Sequence, residues 1–180
     1  MEHSNSSKRP QVLASAAIAV WVVLLALIQH FLLEQLQVHG GWTFTAVIMF
    51  FAFMQTSTHP VRDTLCGAVF GLLSGAAILW CAPFFVPLAG VKWCSSVPVS
   101  IVIVLIIVGH NFCPMILNNT AFGYMILSTM QGRDILLSQL PSHLLLLIVG
   151  GLVAIFVTVW VQGQVLARCM ASMRQKADMS

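Results

Sequence analysis

Charge is what this sequence has least of. Its 180 residues include 5 Asp or Glu and 8 Lys or Arg, so charged residues make up only 7%. A soluble domain carries about 25%, because its surface must meet water. With 59% hydrophobic residues and a mean hydropathy of +0.95, the outer surface is expected to meet lipid. That excludes a soluble enzyme, a disordered chain and a nucleic-acid binder. Paired metal-ligand spacing is also missing. Cys66, Cys81, Cys94, Cys113 and Cys169 are far apart, with no CxxC and no His at ligand spacing. Phosphate-binding glycine loops, GxSxG and HExxH are lacking too. The acidic residues Glu2, Glu34, Asp63, Asp134 and Asp178 fall at predicted ends or loops, so no buried carboxylate pair supports an intramembrane hydrolase. No enzyme, cofactor or metal is expected.

What is present is a series of apolar runs. A polar segment, residues 1–10, precedes a charge-free run from Gln11 to Leu33, long enough to span about 30 Å. It is too long for a signal-peptide core and is read as a retained helix. A second run opens at Trp42 and closes in Gln55-Thr56-Ser57-Thr58-His59-Pro60. A third begins near Asp63 and reaches Trp80 before Pro83 and Pro87 stop it. The polar break at His110-Asn111, followed by Pro114, divides the next stretch into helices near Val97–Gly109 and Met115–Met130. A sixth runs from about Ser142 to Val165. The fold class predicted is an all-α polytopic membrane protein of six transmembrane helices. Its membrane domain covers residues 11–167, and a basic tail, residues 168–180, frays at the cytoplasmic surface. Alternate-side counting places Lys8, Arg9, Arg62, Arg168, Arg174 and Lys176 on one face, against Lys92 and Arg133 on the other. This excess of positive charge puts both termini in the cytoplasm, in a bacterial inner membrane. A five-span partition strands the C-terminal cluster on the wrong side.

Two groups of polar residues are unusual for such a chain. Gln55, Thr56, Ser57, Thr58, His59 and Arg62 crowd the exit of the second run, either as a polar vestibule or as interfacial side chains. His110, Asn111, Asn118, Asn119 and Thr120 precede Tyr124 and Ser128, which share a helix face suited to a pathway. Amides in hydrocarbon need protein or water partners. Asn118 and Asn119 fall in a loop instead if the fifth helix starts late. Gly67, Gly71 and Gly75, four residues apart, form a helix-packing face. Inside the protomer this ridge closes the bundle; between copies it would build a homo-oligomer. The internal position is preferred. Cys81 and Cys94 both approach the extracytoplasmic side, where a disulfide is allowed, although independent thiols are the simpler reading.

The order Gly40-Gly41-Trp42, the Gln55-Thr56-Ser57-Thr58 exit, Arg62 and a glycine-spaced helix resembles the membrane domain of fusaric-acid-resistance and aromatic-acid-exporter proteins. A closer likeness is to the small YcdZ-like bacterial inner-membrane family, whose function is unknown, over Gly41 to Ala82 and Phe122 to Val157. The chain lacks the exporters' large cytoplasmic portion and has no Pro after Gln55. The resemblance to the exporters implies a small organic acid as solute. Met54-Gln55 and Met130-Gln131 each end a short helix before a charged turn, which hints at a 3+3 inverted repeat.

The function expected is a small transporter or channel-like permease in the lipid bilayer, moving an unknown small solute between the second and fifth helices. Its pathway residues would be Gln55, Thr56, His59, Arg62, Asn118, Asn119, Tyr124 and Ser128. The alternative is a structural or accessory subunit that packs a partner against the glycine face of the third helix.

Overall fold

The structure is a computed structural model that describes residues 42–53 and 58–177, together with the helical positions Val20, Leu24, Leu27 and Phe31. Gln55, Thr56 and Ser57 lie outside the described residues, as do Gly40, Gly41 and nearly all of the predicted first span. Among the described residues all regular structure is helical: α1 (Trp42–Phe53), α2 (Pro60–Cys81), α3 (Val86–Trp93), α4 (Ser96–Gly109), α5 (Asn119–Thr129), α6 (Arg133–Leu145) and α7 (Gly151–Ala177). Two of these run into their neighbours. A short 3-10 turn, Ala82–Phe85, joins α2 to α3, and a π-helical turn, Leu146–Gly150, joins α6 to α7. The joined helices Pro60–Trp93 and Arg133–Val161 are long and apolar enough to cross a membrane, whereas α4 is a shorter apolar helix.

Two predicted boundaries are corrected. The third helix ends as an α-helix at Cys81, ahead of the prolines as expected, but the chain stays helical through Pro83 and Pro87. Each sits in the first turn of a new helical segment, where its missing N–H costs nothing. The reversal comes later, at Gly90, whose φ of 73° breaks the helical path. The fifth helix starts at Asn119 rather than Met115, because Asn118 caps it. The sixth starts at Arg133 rather than Ser142. Gly132, at φ 83°, makes the turn that side-chain-bearing residues resist, and Asp134 favours the positive end of the helix that follows. Pro141 lies inside that helix without ending it. The helix also continues through the predicted tail to Ala177.

The organising contact is α2 against α5. Side chains at Gly67, Gly71 and Gly75 would collide with α5: with the Asn118 amide, with the Ala121 carbonyl and Tyr124 Cβ, and with the Ser128 hydroxyl. Absent side chains thus let the two backbones meet, with dispersion between close main chains as the attraction. The glycine ridge faces inward, within the chain. On one side of this pair, Ile78, Ile106, Ala121 and Met125 pack with α4. On the other, Ala46, Val47, Phe51, Leu72, Tyr124, Leu136, Leu147 and Ile155 draw α1, α6 and α7 together. Gly123 admits the Phe50 ring in the same way. The outward faces are apolar: Leu88, Val91, Phe112 and Phe156 are 77%, 81%, 85% and 74% exposed.

Candidate functional site

Asn118 ties the two central helices at one end. Its side-chain oxygen accepts from the Thr120 and Ala121 amides (3.0 and 3.1 Å), two donors that a helix start leaves orphaned. Its amide nitrogen donates to the Asp63 carbonyl of α2 (2.9 Å), and lies 3.1 Å from the Pro114 and Met115 carbonyls. The residue is 2% exposed. An amide is the one neutral side chain that both accepts and donates at this spacing, so the group reads as a cap and a clasp.

Beside this node, the end of α4 and the start of α5 diverge. Ile106, Ile107, His110, Asn118, Asn119 and Phe122 line an open cleft of about 390 Å³. Its lining is mostly apolar, with His110, Asn118 and Asn119 as the polar members. The His110 ring nitrogen Nδ1 lies 2.6 Å from the Leu117 carbonyl, which can only accept, so Nδ1 carries a proton. The intervening turns are tied by Cys113 and Leu117 amide bonds to the Gly109 and Cys113 carbonyls (2.9 Å each). Apolar walls with a few oriented polar groups are the usual make-up of a small-molecule pocket.

The remaining predicted residues are placed elsewhere. Tyr124 is fully buried, its hydroxyl donating to the Thr43 carbonyl and its ring 5.8 Å from Trp42 and 5.7 Å from Phe50. Ser128 donates to its own helix, at Tyr124 and Met125 carbonyls (2.7 and 3.0 Å), and its hydroxyl fills the space at Gly75. Their shared face therefore packs on the glycine ridge. Between the second and fifth predicted helices, the Trp42 and Phe50 rings stand against Tyr124. At the start of α2, Arg62 is exposed and its Nε donates to the Asp63 carboxylate (3.1 Å). That pair offsets most of the charge an anion would meet. His59 is exposed and precedes α2 without a side-chain cap. Arg62 and His59 are not in the cleft lining, whereas Asn118 and Asn119 are.

Cys66, Cys81, Cys94 and Cys113 are free thiols, so Cys81 and Cys94 are not bridged. Cys94 donates instead to the Val91 carbonyl (3.3 Å). Among the described residues no three His, Cys, Asp or Glu side chains converge as metal ligands do.

Sequence reasoning passed over His143 and Gln139. His143 is 1% exposed, beside Trp42 at a ring separation of 5.8 Å. Both fell ahead of or at the start of the helix predicted from Ser142. Once α6 is drawn from Arg133 the two stand four apart on one face, a spacing that would have exposed them.

No family profile, curated protein or solved structure matches this chain.

Proposed function

We propose that the chain is a small multi-pass permease of the bacterial inner membrane, with six spans and both termini cytoplasmic, that passes a small organic solute. The observation that carries this reading is the α4–α5 cleft: about 390 Å³, lined by Ile106, Ile107 and Phe122 and by the polar His110 and Asn119. The route thus lies between α4 and α5 and not, as the sequence suggested, between the second and fifth helices. Apolar walls suit the body of an organic solute, and an imidazole and an amide suit its polar end. The Lys/Arg asymmetry and the exposed apolar faces support the membrane topology. The resemblance to YcdZ-like proteins and, more distantly, to acid exporters belongs to the same proposal. The rival accessory subunit has a weaker footing, because α5 already occupies the glycine face that a partner would use.

Flux of a panel of small acids, amides and alcohols in proteoliposomes, with and without a pH gradient, tests the reading. At least one solute should cross faster than in protein-free vesicles, and Asn119→Leu or His110→Leu should cut that flux several-fold while leaving the fold intact. Equal fluxes with and without protein across the panel sink it.

A further inference from the structure

The buried polar atoms of α6 face no partner. His143 is almost fully enclosed, and neither Nδ1 nor Nε2 has a hydrogen-bond partner. One turn earlier on the same face, Gln139 buries an unpaired Oε1, and across from His143 the buried Nε1 of Trp42 is likewise unpaired. The Tyr124 hydroxyl, which also borders the Trp42 ring, is already committed to the Thr43 carbonyl. A neutral imidazole has one donor and one acceptor, an indole one donor and an amide oxygen only acceptor capacity. Left unpaired in a protein interior, such groups cost more than a made hydrogen bond returns, and native structures pair the large majority of them. Leucine at 143 would pack this space without that penalty.

The helix around His143 departs from regular α-geometry on both sides. Pro141, two residues before, supplies no N–H to the preceding turn, and the π-helical turn Leu146–Gly150 begins three residues after. Single π-turns within helices often mark functional positions. His143 also stands ten residues beyond the charged Arg133. At 1.5 Å per residue that is about 15 Å, or mid-depth of a hydrocarbon layer of about 30 Å. An ionisable side chain at that depth is costly, and such residues characteristically line polar routes.

We propose that His143, Gln139 and Trp42 form an interior site for one small neutral molecule that both donates and accepts hydrogen bonds: water, or the hydroxyl or amide end of a solute. Trp42 Nε1–H donates to the guest, Gln139 Oε1 accepts from it, and the His143 ring supplies whichever role remains. The guest is small and sits at the ring edges, because the Trp42 and His143 rings, with centres 5.8 Å apart, already touch and Tyr124, Leu136 and Leu147 of the same core are fully buried. This inference rests on the transmembrane reading of Arg133–Val161 and not on the cleft.

The test uses the full chain, labelled with ¹⁵N at His and Trp, in phosphatidylcholine–phosphatidylglycerol vesicles. Magnetisation is transferred from bulk water to the imidazole signal that His143→Leu removes; if that variant does not fold, Gln139→Leu, which keeps the ring, is expected to weaken the transfer. Water transfer to His143 that urea leaves unchanged identifies water as the guest. Transfer that urea, as the neutral amide probe, diminishes identifies the solute end. A His143 ring that receives no magnetisation under either condition overturns the site. Carbonate extraction of the same vesicles separates the two readings. Protein released by carbonate refutes the membrane span, whereas a dry His143 in carbonate-resistant protein refutes the site alone.

Discussion

Replacing Asn118 by Asp keeps the oxygen that caps α5 but removes the amide donor to the Asp63 carbonyl; replacing it by Leu removes both. Asn118→Leu is expected to cost about 1–3 kcal/mol, the range for a lost cap and a lost buried hydrogen bond. Asn118→Asp should cost no less, because its second oxygen would face the Asp63, Pro114 and Met115 carbonyls with no proton to give them. Thermal melting in detergent checks the order, and an unchanged melting temperature in Asn118→Leu would contradict the clasp. The same measurement applies to Tyr124→Phe. Its hydroxyl holds the Thr43 carbonyl of α1 while its ring stays in the core, so the loss should be about 0.5–1.5 kcal/mol with no change of shape. Tyr124→Phe should leave access to the cleft unchanged, since Tyr124 is not part of its lining. Asn119→Cys, whose position is exposed there, should react readily with a water-soluble thiol reagent, and Ser128→Cys, buried on the ridge, should not.

Glycine spacing on α2 was readable from sequence because residues at intervals of four share a face, and the helix on which they lie was clear from its apolar run. What covers that face was not readable, since its partner lies about fifty residues further along. The collision targets rank the glycines. At Gly71 a methyl group meets the Ala121 backbone, which cannot rotate away; at Gly67 and Gly75 it meets side chains. Gly71→Ala is thus expected to cost about 1–3 kcal/mol as overpacking and to lower the melting temperature of the protomer, not to split an oligomer. Gly163→Ala on α7, with open space around it, should instead gain up to about 1 kcal/mol of helix propensity. Comparable losses in both variants would mean the α2–α5 contact is not what the glycines serve. The start of α6 was hidden for a different reason. Gln131-Gly132-Arg133-Asp134 looks like an interfacial loop, yet Gly132 turns the chain within two residues and the acidic side chain opens a helix at once. Misplacing that start by nine residues concealed Gln139 and His143. The cleft was half legible: Asn118 and Asn119 stood out as amides in an apolar stretch, but their division into cap and lining follows from a helix boundary that composition does not mark.

At the scale of the molecule, the proposed orientation rests on charge and the packing on the α2–α5 pair. A reporter fused after Ser180 is expected to be active only in its cytoplasmic form; activity confined to the extracytoplasmic side would reverse the six-span topology. The Asn118–Asp63 clasp joins residues 55 apart in the chain, and everything from α3 through α4 is made between them. A ribosome therefore completes the glycine ridge well before it supplies the helix that fits it. In the proposed membrane topology, until α5 emerges α2 leaves its glycine face uncovered, and another nascent helix can take that place. The newly made protein is thus open to mispairing during one definable interval of its synthesis. Chains halted before residue 118 should crosslink to neighbouring membrane proteins through position 71, and chains released after residue 130 should not.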